Sequence, residues 1–196
     1  ALMQGLADGY FIIPYTIGNY LASQKPFTDT NHDAFRIGID TIQNQIDTML
    51  KVKGQRTVED IHKDLGKIMW DNVGMSRSKE SLLNALDAIP KIRAEFLNNV
   101  NIPGSNNEFN PELEKAGRLA DFIDLGELMA RDALDREESC GGHFREEHQT
   151  DENEAKRDDK NYAYVAAWEH GKDNKHKLHK EKLEFKNVEL VTRSYK

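Results

Sequence analysis

The chain has 196 residues, 38% of them hydrophobic, and 34 acidic against 27 basic side chains for a net charge of −7. That suits one domain, or one with appendages; it argues against wholesale disorder and, being acidic, against a general nucleic-acid binder. No apolar run approaches the roughly 18 residues of a membrane span, and one cysteine excludes a disulfide framework and fits a reducing compartment.

The first segment, residues 2–22, is apolar and aromatic but is interrupted by Gly5, Gly9, Pro14 and Gly18. Gly and Pro weaken helix interiors, so a helix here needs a surrounding structure to bury it. The apolar run 10–13 is too short for a signal core, and Asp8 stands before it. The expectation is a fragment cut from a larger protein.

The next four helices are read from apolar periodicity. Phe35, Ile39, Ile42, Ile46 and Met49 form a core-facing stripe over Asp33–Lys51, ended by Lys53-Gly54. Thr57 caps a second helix with Val58, Ile61, Leu65, Ile68, Met69 and Val73 inward, and Gly74 closes it. Ser78 caps a third, with Leu82, Leu83, Leu86, Ile89, Ile92, Phe96 and Val100 inward; Pro90 should kink or split it near Ala88. After the loop Ile102-Pro103-Gly104-Ser105, Asn110-Pro111 starts a fourth helix to about Glu138, carrying Leu113, Leu119, Phe122, Ile123, Leu128, Met129 and Ala133. Short connections favour antiparallel neighbours.

Residues 132–154 hold nine acids against two bases, whereas residues 171–196 hold eight bases against four acids. This reads as a solvated acidic loop followed by Lys-edged strands, or else as a docking surface for a partner of matching charge. Alternation begins at Tyr162; Leu183-Glu184-Phe185 and Val188-Glu189-Leu190-Val191 also read as extended, with Gly171-Lys172-Asp173-Asn174 as a turn. The expected fold is mainly α: an antiparallel bundle of three to four helices with a small C-terminal antiparallel β element. The domains are expected at residues 1–25, 26–139 and 140–196.

Candidate chemistry is sparse. Cys140, His143 and His148 have the spacing of half a zinc site but lack a second Cys pair. His170, His176 and His179 fall in a Lys-rich turn and are expected to be exposed. Cys140 with His143 as base would be a nucleophile pair, yet a lone Cys beside two glycines better suits a tight turn. No phosphate-loop spacing occurs. No catalytic or metal-binding residue is assigned.

Four segments in order resemble one family. Glu137-Glu138-Ser139-Cys140-Gly141-Gly142-His143-Phe144-Arg145-Glu146-Glu147 is similar to the E-S-R-G-x-H-x-R-x-D signature of succinate dehydrogenase and fumarate reductase flavoprotein subunits. Arg157-Asp158-Asp159-Lys160-Asn161-Tyr162 resembles their R-D-D-E-N-W, and Ile68-Met69-Trp70-Asp71-Asn72-Val73-Gly74-Met75-Ser76-Arg77 their M-W-x-x-V-G-I-x-R helix end. Ala1-Leu2-Met3 resembles the N-S-L segment closing their flavin domain. The Cys140 form and the long tail resemble the branch with a diheme cytochrome b anchor.

The resemblance implies the C-terminal region of an FAD-containing subunit that interconverts succinate and fumarate. It implies partners as well: an iron–sulfur subunit and, through it, a membrane cytochrome b anchor on the cytoplasmic side of the inner membrane. Substrate, the FAD-bearing His and the proton-donor Arg would belong to upstream sequence, so this segment should hold no FAD and turn nothing over alone. Only Ala1 and Leu2 match cofactor-site positions, where backbone N–H groups at a helix start approach the flavin. Residues 139–145 are expected to form a tight Gly turn ending the fourth helix, with His143 and Arg145 anchoring it to nearby acids or carbonyls. The alternatives are an L-aspartate oxidase-like flavoenzyme and a free-standing helical interaction module.

Overall fold

The computed structural model describes residues 2–25, 29–171 and 176–191. It divides into two units, Ala1–Asn44 and Gln45–Lys196.

The first unit begins with α1, a helical run over residues 2–23 that alternates between α turns and the wider π turns Asp8–Ile12 and Thr16–Tyr20. Gly9 and Gly18 lie in these π turns and Pro14 at the start of an α turn, so the weak helix formers mark the irregularities. Its large side chains Leu2, Tyr10, Phe11, Ile13 and Tyr20 are exposed. α2 follows as Asp33–Lys51, and the unit boundary falls within it. The expected stripe of α2 is only half a core stripe: Phe35, Ile39 and Ile42 are exposed, while Met49 and Leu50, with Val52 beyond the helix, pack on the core of the second unit. A stripe is buried only where an opposing surface exists, and Met49 belongs to the part of the helix that lies in the second unit.

In the second unit α3 (Val58–Val73), α4 (Lys79–Asn99) and α5 (Pro111–Asp135) pack on one another. Their starts are those of the sequence reading. Thr57 Oγ1 accepts from the Asp60 N–H (3.1 Å), Asn110 Oδ1 accepts from the Leu113 N–H (3.1 Å), and Ser78 with Ser81 forms a reciprocal capping box. α4 runs as one helix through Pro90, so of the expected kink or split the split does not occur. Leu82, Ile89, Ile92 and Phe96 are all buried along it. At about 1.5–3 kcal/mol each, they outweigh the roughly 3 kcal/mol cost of an interior proline.

Two short parallel ladders fix the helix directions. β1 (Arg56–Thr57) enters α3 and pairs with β3 (Val100–Asn101), which leaves α4. The start of α3 therefore lies beside the end of α4, and the two helices are antiparallel. β2 (Ser76–Arg77) precedes α4 and pairs with β4 (Phe144–Arg145), soon after α5. α5 thus ends where α4 begins, antiparallel to it. Gly54 is required at the first ladder: a Cβ there would stand 2.0 Å from the Asn99 carbonyl oxygen. Its N–H donates to the Val100 carbonyl (2.9 Å).

The core contains Val58, Ile61, Leu65, Leu82, Ile89, Phe96, Leu119 and Ile123. Small residues let the helices approach: Ala85, Ala116 and Ala130 are fully buried, and Gly126 faces Met69 and Leu65. Leu83, Phe122 and Met129, expected inward, are exposed.

After a short helix α6 (Asp159–Tyr162), β5 (Tyr164–His170) and β6 (His176–Lys182) form an antiparallel hairpin. Tyr162 thus belongs to α6 rather than to a strand. The second strand is the segment read as a histidine-containing turn, whereas residues 183–185 and 188–191, expected as strands, are not extended ladder. The polar sequence of β6 conceals its alternation, since Leu178 alone is apolar. Of the expected turn, Lys172, Asp173 and Asn174 lie outside the described residues. No described helix is long and apolar enough to cross a membrane.

Candidate functional site

The end of α5 and the loop after it hold the buried polar groups Glu138, Ser139 and Arg145. A helix leaves its last four carbonyls without intrahelical donors. Arg145, only 1% exposed, answers two of them: its Nη1 donates to the Ala133 (3.0 Å) and Leu134 (3.3 Å) carbonyls. A cation at this helix end also opposes the negative pole of the macrodipole.

The loop is wound so that Arg145 must point there. The Arg145 N–H donates to Ser139 Oγ (2.8 Å), and the Ser139 hydroxyl donates to the Arg145 carbonyl (3.1 Å). Cys140 and His143 exchange backbone bonds of 2.8 and 3.0 Å across Gly141, whose φ of +59° is the left-handed conformation glycine tolerates. Imidazole Nε2 of His143 lies 2.8 Å from the Arg136 carbonyl, the contact of a donor nitrogen.

A second layer holds Glu138. Its Oε1 accepts from Arg136 Nε (2.8 Å) and its Oε2 from the Asp158 N–H (2.8 Å). Arg136 also reaches the Tyr162 carbonyl (2.9 Å) and lies over the Tyr162 and Tyr164 rings. The Ser139 N–H donates to Lys156 (2.9 Å), which fastens the far side of the loop.

The other end of the loop meets α4. Glu147 accepts from the Lys79 N–H, the first residue of that helix, and from Arg145 Nε (3.2 Å). Burial raises the Glu147 carboxyl pKa, but these donors win and hold it below its ordinary value. The loop therefore supplies an anion to the positive end of α4 and a cation to the negative end of α5. Ser76 Oγ donates to Glu146 (2.9 Å) beside the β2–β4 ladder.

His143 is pushed below the ordinary imidazole value, first by burial. Its bond to the Arg136 carbonyl opposes this, and the charges of Arg77, Arg145 and Arg136 reinforce it. The Arg77 pKa is lowered by burial and by Arg145, against a raising contribution from Asp132. Its buried Nε has no hydrogen-bond partner among the described residues.

The expected anchoring of the Gly turn is thus present, through His143 to one carbonyl and Arg145 to two. Cys140 is a partly buried free thiol, and His143 directs Nε2 to a carbonyl rather than to it. His148 joins the loop through its backbone, donating to Arg145 and accepting from Lys156. Among the described residues no three His, Cys, Asp or Glu side chains are grouped to hold a metal. Ala1 lies outside the described residues; Leu2 opens α1 and is 88% exposed. The sequence reading assigned no role to Glu138, Arg136 or Glu147, although arginines set beside acids on either side of the Gly turn were their signal. The arrangement contains no nucleophile–base pair; it is a lock between helix ends.

Residues 62–195 match the family described as fumarate reductase flavoprotein C-term, and the chain belongs to that family. A fumarate reductase flavoprotein subunit of Proteus vulgaris is 27% identical over 135 residues, 69% of this chain and 22% of that protein. An FAD-dependent oxidoreductase of Methanocaldococcus jannaschii is 30% identical over 126 residues, 64% of this chain and 22% of that protein. In structure, E. coli quinol fumarate reductase FrdA superposes with a TM-score of 0.71 at 21% identity, covering 84% of this chain and 27% of that one. The chain thus spans about a fifth of the length of these curated relatives, and the structural likeness is one of fold.

Proposed function

We propose that this chain is the C-terminal part of the FAD subunit of a succinate dehydrogenase or fumarate reductase. The subunit interconverts succinate and fumarate and exchanges electrons with quinone through an iron–sulfur subunit. The family match over residues 62–195 carries this reading. The relatives' names support it: they include an 8-methylmenaquinol:fumarate reductase of Wolinella succinogenes and a CoM/CoB fumarate reductase of Methanothermobacter marburgensis.

Within that subunit, residues 1–25 end the FAD-binding domain, residues 26–139 form the helical domain, and residues 140–196 are its loop and strand tail. The backbone of Ala1 and Leu2 contributes to the flavin site. The exposed apolar side chains of α1 fit a helix that the flavin domain covers. The rest supports that domain and presents a surface to the iron–sulfur subunit. It carries no catalytic residue and is inactive alone. The complex lies peripherally on the cytoplasmic side of the inner membrane, held by a cytochrome b anchor.

The test is fumarate reduction by a reduced viologen dye, measured on the intact subunit and on these 196 residues alone. Turnover and bound FAD are expected in the first and absent in the second. Turnover by the isolated chain would refute the assignment. Co-purification of an iron–sulfur protein with the intact subunit separates this reading from an L-aspartate oxidase-like enzyme.

A further inference from the structure

The last cross-strand pair of the β5–β6 hairpin is His170 opposite His176. Residues directly opposite on an antiparallel pair point to the same face. The ring centroids are 5.8 Å apart, with 51° between the planes. Two positions back on that face stands Trp168, whose Nε1 donates to Asp132 of α5 (2.7 Å), so the face looks onto the bundle. A cavity of about 510 Å³ opens there, and both imidazoles line it with Trp168, Arg93, Asp124 and Glu127. Among the described residues the two imidazoles contact one another and make no hydrogen bond.

We propose that His170 and His176 bind one divalent transition-metal ion at this cavity. Imidazole nitrogens hold such ions at about 2.0–2.1 Å, which places two rings on one ion with centroids roughly 5–6 Å apart. The hairpin already holds them at that spacing. Arg93 on the cavity wall is neutralised: it donates to Asp124 (2.8 Å) and to Glu127. No third protein ligand is grouped with the pair among the described residues, so water completes the coordination and the site is open. Affinity then follows the general order of imidazole sites, Cu2+ above Ni2+ and Zn2+. The bound ion clips the two strands together at their last pair, and binding appears as added stability.

The test is calorimetric titration of Ni2+ into the chelator-stripped intact protein. His170→Gln and His176→Gln should each weaken one binding event at least tenfold and abolish the rise in melting temperature that Ni2+ produces. His179→Gln is the control. His179 lies on the opposite face of β6, bonded to Glu169 (2.6 Å), and its loss should leave that event unchanged. Should a Gln variant fail to fold, His170→Phe and His176→Phe retain ring area and strand preference and carry the same expectation. Wild-type affinity in the His170 or His176 variants overturns the proposal, as does equal weakening by His179→Gln. The outcome is independent of the proposed enzyme function.

Discussion

Replacing Arg145 tests whether the loop is a lock. Its Nη1 serves two carbonyls of α5 from a side chain that is 1% exposed. A charged donor to buried acceptors contributes about 1.5–3 kcal/mol, counted once because one nitrogen serves both. Truncating the stem leaves a cavity costing about 1–2 kcal/mol more. The Glu147 pair adds less than about 1 kcal/mol, because that carboxylate is 41% exposed. Arg145→Ala should therefore cost about 3–5 kcal/mol, the range found when a buried charged partner is removed. With a urea slope of about 3 kcal/mol/M, the midpoint falls by about 1–1.7 M. Tryptophan fluorescence is a suitable probe, since Trp168 is bonded to Asp132 near the affected helix end. Arg145→Lys keeps charge and stem but loses the planar fork, and should lose about half as much. A midpoint for Arg145→Ala within about 0.2 M of the parent would refute the reasoning, because water would then be replacing the guanidinium without loss.

Three further outcomes are expected. Gly54→Ala forces its methyl into the Asn99 carbonyl and should cost at least about 1–3 kcal/mol by urea denaturation; an unchanged midpoint would mean the β1–β3 ladder can separate freely. Thr57→Ala removes the cap of α3 and should cost about 1 kcal/mol in the same assay, with Thr57→Ser restoring most of it. His143 is held neutral by burial and by three arginines, so its folded pKa lies below the unfolded value of about 6.5. Its stabilising contribution is whole above that unfolded value and is lost as pH falls from there through the folded pKa. Melting temperatures between pH 8 and 5.5 should therefore fall more steeply for the parent than for His143→Gln, and parallel curves would exclude this role.

The helices of the second unit were legible because two independent signals coincide in them. Apolar period set their faces, and Thr57, Ser78 and Asn110 set their starts. The seams between them were not legible, because Ala85, Ala116, Ala130 and Gly126 act by being small and carry little hydropathy. Neither were the parallel ladders, in which two residues pair with a segment far along the chain. α2 shows the opposite error: its period is that of a core helix, yet most of the stripe is exposed, since period reports amphipathicity and not what covers it. In the site, the glycines announced a turn, with His143 and Arg145 as its anchors. Their acceptors are main-chain carbonyls, which no residue name records.

The lock and the bundle depend on each other physically. Arg145 can be buried only if the α5 carbonyls are already aligned to receive it, since an unpaired buried guanidinium is far costlier than an exposed one. Those carbonyls, in turn, end a helix that the β2–β4 ladder places beside the start of α4. There Glu147 meets a free N–H at the opposite pole. One short stretch of loop thus satisfies helix ends of opposite sign. This explains why the buried polar side chains among the described residues gather in an irregular segment: the helices are held by apolar contact along their length, and their adjoining ends are held by the loop.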